Sequence, residues 1–406
     1  MTRIVVLFTN YGPYHIARVN CLVEHCQLLG WEVIGVELAR QEQTYAWQVD
    51  RRNLPKHLIS VVENAPLEQV SLIQLLPKLL AVLNRLHPAA IAIAGYARPS
   101  MLTALAWSLW HGKLPILMSE THEQDAVRWQ WRETLKGQIV RRYRAALVGG
   151  TPQKHYLANL GMPLSAIHTG YNAIDNQAFH PSRLQKHQRP IDRPYFLSVN
   201  RFIPKKNLPF LLSAYARYRQ AVGESAWDLV LSGDGPLRAQ LEQQIVELEL
   251  EPWVHLPGFL QQAELLPYYA HASCFVHTST QEQWGLVVNE AMAAGLPVLV
   301  SNRCGCFEDL VLAGVTGFGF DPENESQLTD LMSKVTLAEG MLEPMRQATL
   351  AHIQKFSPDC FAIGLIQAIQ TAQTVECGDS WVSRSWQGLT RRVMQKLKRR
   401  CTDRSV

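Results

Sequence analysis

Residues 3–8, "RIVVLF", form a short β-rich run in which apolar and polar residues do not alternate. A strand with one wet face alternates. A strand buried on both faces does not, and burial on both faces is the habit of parallel sheets. The run is followed by the loop "TNYGPYH" and a helical pattern through "ARVNCLVEHCQLLG", which Gly30 ends before a second strand, "WEVIGVEL". Strand, helix and strand in that order make a βαβ unit. "AAIAIAG", "LPILMSE" and "AALVGG" continue as strands, with helical stretches near 67–86 and 100–111. Residues 1–182 therefore read as one doubly wound, Rossmann-like α/β domain.

The polar, proline-bearing segment "SRLQKHQRPIDRP" reads as a linker, after which the pattern restarts. Strands "YFLSVN", "WDLVLSG", "VHLPG", "CFVHT" and "LPVLV" alternate with helical segments and give a second Rossmann-like domain over 195–365. Residues 366–406 read as a C-terminal helix with a basic tail. Two such domains are expected to face a central cleft lined by the carboxyl ends of their strands, the usual ligand position in α/β sheets.

A chain of 406 residues exceeds one ordinary core, which agrees with two domains. Its net charge of +4 gives no reason to expect nucleic acid. The N-terminal run is too short for a secretory signal, and no stretch of eighteen apolar residues stands for a membrane span. The eight cysteines form no Cys-x-x-Cys pair, so free thiols in a reducing cytoplasm are expected, with no metal site.

Three loops of the second domain carry groups that suit a sugar nucleotide. "SVNRFIPKKN" places Arg201 and Lys206 around a turn at a strand exit, where a bidentate guanidinium and a point charge suit a diphosphate. An ordinary solvated basic loop is the alternative. "LSGDGPLRAQL" makes a tight strand-to-helix turn on Gly233 and allows close backbone approach, although any strand-to-helix connection can look alike. "EQWGLVVNEAMAAGLPVLV" starts a helix at Gly285, with Glu282 in the loop before it and Glu290 just over a turn inside. Helical side chains lean toward the N-terminus, so Glu290 can reach a ligand above the first turn. The free N–H groups near Gly285, Leu286 and Val287 would meet an anion there. Carboxylates accept hydrogen bonds from vicinal hydroxyls, so the set suits a molecule with a sugar at each end and a diphosphate between. The alternative is that both acids merely complement the helix dipole.

These segments resemble the retaining glycosyltransferases of the GT-B fold, the large family 4 group. Glu282 and Glu290 have its E-x7-E spacing, and "NRFIPKKN" is similar to its G-R-L-x-x-x-K-G/N loop. "SGDGP" resembles its G-x-G-P turn, "HLPGFL" with Gly258 its V-x-F-x-G segment, and "SNRCGCFEDLV" its S-x-x-G-G-x-x-E-x-V segment. Five segments in order over about 195–330 say more than any one of them. Asn200 stands where the family has glycine before the arginine, and Cys306 where it has the second glycine. In the first loop Gly12 is the phosphate neighbour, and "MSETHEQD" offers Glu120 and His122 where relatives carry a histidine.

The resemblance implies a GT-B, two-domain α/β fold and a hexosyl transfer that keeps the anomeric configuration, from a UDP- or GDP-sugar to a glycan or lipid-linked acceptor. It implies that Glu290 binds the nucleotide ribose and Glu282 the transferred sugar, while Arg201 and Lys206 neutralise the leaving diphosphate and His122 joins the catalytic set. No permanently bound cofactor and no metal are implied, and the chain has no Asp-x-Asp. An epimerase-like enzyme of sugar nucleotides and a non-catalytic binder are the alternatives. A nicotinamide dehydrogenase is unsupported, because neither half has GxGxxG after its first strand.

Two basic, tryptophan-bearing stretches suit an anionic membrane surface. In 128–144 Trp129 and Trp131 sit among arginines. In 384–404 Trp386, Leu389, Val393 and Leu397 share one helical face. The expected location is cytoplasmic, peripheral on the inner face of the membrane.

Overall fold

The computed structural model describes residues 2–41, 55, 57–338 and 340–374. The stretch 384–404 lies outside them. Among the described residues two all-parallel sheets form, each in its own unit. The first holds β1 (Thr2–Phe8), β2 (Trp31–Gln41), β3 (Leu58–Pro66), β4 (Ala90–Ala94), β5 (Leu114–Ser119), β6 (Ala145–Val148) and β7 (Ile167–Thr169), in the order β3-β2-β1-β4-β5-β6-β7. The second holds β8 (Tyr195–Val199), β9 (Asp228–Ser232), β10 (Val254–Gly258), β11 (Cys274–His277), β12 (Val298–Ser301) and β13 (Gly317–Phe320), in the order β10-β9-β8-β11-β12-β13.

The unalternated runs behave as their composition requires. β6, β9, β11 and β12 are buried along their whole length, as is β1 from Ile4 onward. In each sheet the strand order reverses once, between β1 and β4 and between β8 and β11. Helices then leave on opposite faces, and the loops after those strands can hold a ligand.

The unit boundaries differ from the sequence expectation of 1–182, 195–365 and 366–406. The first unit runs to Asp175 and takes the chain back at Phe356; the second comprises Asn176–Lys355 together with Gln124–Ala126. Asn176–Phe179 packs on the helix Leu286–Ala293, and Pro181–Leu184 on the helix Gln262–His271. Phe179 meets Tyr269 edge to face at 5.5 Å, so apolar contact assigns this segment to the second unit.

The last described helix, Pro358–Thr374, belongs to the first core rather than to a tail. It buries Phe361, Leu365, Ile366 and Ile369 against the helix Pro13–Gln27 and against β5, β6 and β7. Two glycines permit that approach. A Cβ on Gly170 would lie 2.5 Å from the Cys360 carbonyl oxygen, and one on Gly364 would lie 2.4 Å from that of Thr169.

Candidate functional site

The second unit gathers its polar groups at the carboxyl ends of β8, β9 and β11. After β8 the chain passes Asn200 and Arg201, makes a single 3-10 turn at Pro204–Lys206, and enters the helix Leu208–Val222 through Asn207 at φ +55°. The Phe202 N–H donates to the Asp234 carbonyl at 2.8 Å and the Leu237 N–H to the Phe202 carbonyl at 3.0 Å, so the loops after β8 and β9 brace each other. The contact is close enough to require Gly233, since a Cβ there, at φ +138°, would fall 1.7 Å from the Asn200 carbonyl oxygen. Gly233 also donates its N–H to the Gly258 carbonyl at 2.8 Å, which brings β10 into the same cluster. The helix after this turn begins at Arg238. Arg201 is exposed at the strand exit.

β11 ends on His277, which is fully buried. Beyond it Glu282 returns to meet Lys206, and the two form an ion pair with side-chain exposures of 14% and 12%. Glu282 is also 3.6 Å from His277 Nε2 and receives the Ser279 hydroxyl at 3.4 Å. Burial pushes the Glu282 carboxyl up, but the His277 hydrogen bond and the Lys206 ammonium outweigh it and hold the group well below the usual carboxylate range. His277 moves down through burial and the neighbouring lysines, against the pull of Glu282, so the imidazole stays neutral near pH 7. The cluster thus carries a fixed carboxylate beside a fixed ammonium. Glu282 can accept hydrogen bonds there but has no proton to give.

Gly285, at φ +102°, heads the eight-residue helix Leu286–Ala293, with Leu286 and Val287 half-buried in its first turn. Gly285, as the residue at the N-cap, brings no side chain of its own to cap this end. A Cβ on Gly285 would lie 3.5 Å from His277 Nε2, 3.5 Å from Glu282 Cγ and 3.7 Å from Cys306 Sγ, which places all three around one point. Cys306 is fully buried, and its N–H reaches the Trp284 carbonyl at 3.2 Å. Glu290 is 4% exposed and its carboxylate receives the Tyr269 hydroxyl at 2.7 Å.

Gly12 and His122 belong to the first unit. Gly12 caps the helix Pro13–Gln27 and donates its N–H to His15 Nδ1 at 3.2 Å. Burial and the nearby Arg18 push His15 down to about 3, so it stays neutral and free to accept that bond. His122 is buried at 3% exposure, not an exposed loop histidine, and its carbonyl accepts from Arg128. Among the candidates the structure therefore joins Lys206 to Glu282, sets Gly285, Leu286, Val287 and Glu290 on one helix, and pairs Gly233 with Gly258. His277, Ser279 and Tyr269 escaped the sequence reading. The signal for the first two was present, as the apolar strand "CFVH" runs straight into the polar "TSTQEQ" at a position where ligands are held. Nothing local marks Tyr269.

Comparison with known proteins bears on this unit first. Residues 181–351 match the family model described as glycosyl transferases group 1. The chain is 29% identical over 186 residues to the mouse (Mus musculus) alpha-1,3/1,6-mannosyltransferase ALG2, covering 43% of this chain and 44% of that one. It is 35% identical over 107 residues to the alpha-monoglucosyldiacylglycerol synthase of Streptococcus pneumoniae, covering 26% and 24%. The chain thus spans less than half the length of these curated relatives. The structure of Anabaena Alr3699/HepE in complex with UDP and glucose superposes with a TM-score of 0.67 at 20% identity, over 93% of this chain and 100% of that one, which is a likeness of fold. The chain is accordingly a two-domain α/β protein of the GT-B fold whose residues 181–351 match the glycosyl transferases group 1 model.

Proposed function

We propose that the chain is a retaining glycosyltransferase that moves a hexose-type sugar from a UDP- or GDP-sugar to a glycan or lipid-linked acceptor. The observation that carries this reading is the buried Lys206–Glu282 pair at the carboxyl ends of β8 and β11, inside the segment that matches the transferase family. In this reading Arg201 and Lys206 face the diphosphate, with the N–H groups at Gly285, Leu286 and Val287 beside them. Glu290 takes the ribose hydroxyls, and Glu282 the hydroxyls of the transferred sugar. Fixed donors stabilise charge on the departing phosphate oxygen without solvent reorganisation. Because the Glu282 carboxyl is held well below the usual carboxylate range, it is too weak a base to keep the acceptor proton, which leaves to the departing phosphate oxygen on the same face as the attack. The donor is a substrate, and no resident cofactor is invoked.

The names of the relatives support a sugar-transfer reading and a lipid-bearing acceptor. Around the helix Gln130–Val140, Val127, Trp129, Trp131 and Leu135 are exposed beside Arg132, whose guanidinium lies 5.1 Å from the Trp131 ring. Lys136 pairs with Glu133 at 2.7 Å, and the Arg128 guanidinium lies 4.5 Å from the Tyr156 ring, so these two charges hold the fold together. We propose that the tryptophans and the exposed arginines rest on an anionic bilayer at the cytoplasmic face. Among the described residues no helix is long and apolar enough to cross a membrane.

The test is a thermal-shift panel of UDP, GDP, ADP and CMP on wild type and Glu290→Ala. A ligand at a hundred times its Kd stabilises by about 2.7 kcal/mol. A shift with UDP or GDP that shrinks in the variant supports the donor site and names the base. No shift with any nucleotide, or an equal shift in both proteins, sinks it.

A further inference from the structure

Away from the transferase site, the helix Pro13–Gln27 places Cys21 and His25 one turn apart, and the returning helix Pro358–Thr374 brings Asp359 to them in its first turn. One ligand atom from each of the three residues lies within 4.8 Å of the others. Cys21 Sγ is 3.6 Å from Asp359 Oδ1, and His25 Nε2 is 3.3 Å from the same oxygen. His25 Nδ1 lies 2.9 Å from the Cys21 carbonyl oxygen. A carbonyl cannot donate, so Nδ1 carries a proton and Nε2 faces the carboxylate with either a lone pair or a second proton. A lone pair at 3.3 Å from a carboxylate oxygen needs a cation between them.

The two distances to the Asp359 oxygen fit a metal. Bonds of about 2.3 Å to sulfur and about 2.0 Å to nitrogen or oxygen, at tetrahedral angles, require S···O near 3.5 Å and N···O near 3.3 Å. The backbone-bonded Nδ1–H is the arrangement that fixes the ring of a metal-ligating histidine. Thiolate, imidazole and carboxylate together favour zinc or a neighbouring late transition metal over magnesium or calcium. His25 is buried, whereas Cys21 is half-buried and Asp359 keeps 26% side-chain exposure, so the face stays open to water.

We propose that Cys21, His25 and Asp359 form a three-ligand site for a divalent transition metal of the zinc type, with a fourth position left to water. The site clamps the returning helix onto the first helix of the chain. It takes no part in sugar transfer and stands or falls separately from that reading.

The experiment is a Co2+ titration of the chelator-stripped full chain, followed by absorption. The expected result is one equivalent bound with a thiolate-to-metal charge-transfer band, displaced by Zn2+. Cys21→Ser abolishes the band. Asp359→Asn, which keeps the side-chain shape, weakens binding by more than about tenfold, since even partners outside the ligand set are worth 10–100-fold. Cys360→Ser, altered beside the cluster, keeps the wild-type band. Thermal unfolding of the stripped variants establishes that they fold. Absence of the band, a band unchanged in Cys21→Ser, or affinity unchanged in Asp359→Asn overturns the site, and the three side chains are then held by their mutual polar contacts alone.

Discussion

Replacing Lys206 by methionine keeps the volume of the side chain and removes one charge of a largely buried pair. Glu282 is left ionised with 14% of its side chain exposed, Ser279 at 3.4 Å and a neutral His277 at 3.6 Å. Breaking a buried pair from one side costs about 3–5 kcal/mol. The remaining donors and the residual exposure place this case near the lower end, about 3 kcal/mol. For a unit of this size that is a loss of roughly 6–12 °C in Tm.

In the wild type the Glu282 carboxyl titrates below its unfolded value. The pair therefore adds stability above about pH 4.3, and that stability is lost as pH falls through the lowered folded value. Lys206→Met removes part of what holds the carboxyl down, so its folded value rises and its penalty is relieved by protonation. The deficit against wild type is largest near pH 7.5 and narrows as pH falls toward 5. The double variant Lys206→Met/Glu282→Gln recovers at least about 1 kcal/mol over the single one, because no buried charge is stranded. Urea unfolding of the four proteins of the cycle at pH 7.5 and 5 measures all of this. A Lys206→Met protein as stable as wild type, or a deficit that widens on acidification, refutes the reasoning.

Four further outcomes are expected. Glu282→Gln lowers transfer by at least tenfold with little change in the UDP- or GDP-induced thermal shift, read from initial rates beside that shift. Gly233→Ala destabilises by about 3 kcal/mol or more, since the added Cβ meets the Asn200 carbonyl oxygen at 1.7 Å in a φ that side chains avoid; denaturant unfolding reads it. Trp129→Ala with Trp131→Ala lowers binding to phosphatidylglycerol vesicles by at least tenfold in co-sedimentation and leaves Tm within about 2 °C, because both rings are exposed. Gly364→Leu loosens the returning helix, seen as faster hydrogen exchange over 358–374, because even a Cβ there meets the Thr169 carbonyl oxygen at 2.4 Å.

Much of the fold was legible because parallel strands need unbroken apolar runs, and "RIVVLF", "AAIAIAG" and "CFVHT" are such runs. β3, β7 and β13 were missed. β3 is polar over part of its length as an edge strand, β7 has only three residues, and β13 reads GFGF, whose two glycines break up the apolar run. The turn at Gly233 and the helix start at Gly285 were readable because only glycine tolerates those dihedrals near other backbone. The Lys206–Glu282 pair was not, since no local pattern links residues 76 positions apart. The assignment of Pro358–Thr374 to the first unit depends on Gly170 and Gly364, whose meaning appears only once their facing atoms are known.

That returning helix also sets an order on synthesis. The first 123 residues and 127–175 leave the ribosome well before 358–374, so β5, β6 and β7 wait for Phe361, Leu365 and Ile366 until the second unit has been made. During that interval the nascent first unit presents an uncovered apolar face, a binding surface for chaperones. The second unit has its own contiguous core over 176–355 and can close first. The half that begins the chain is thus the half that finishes folding last.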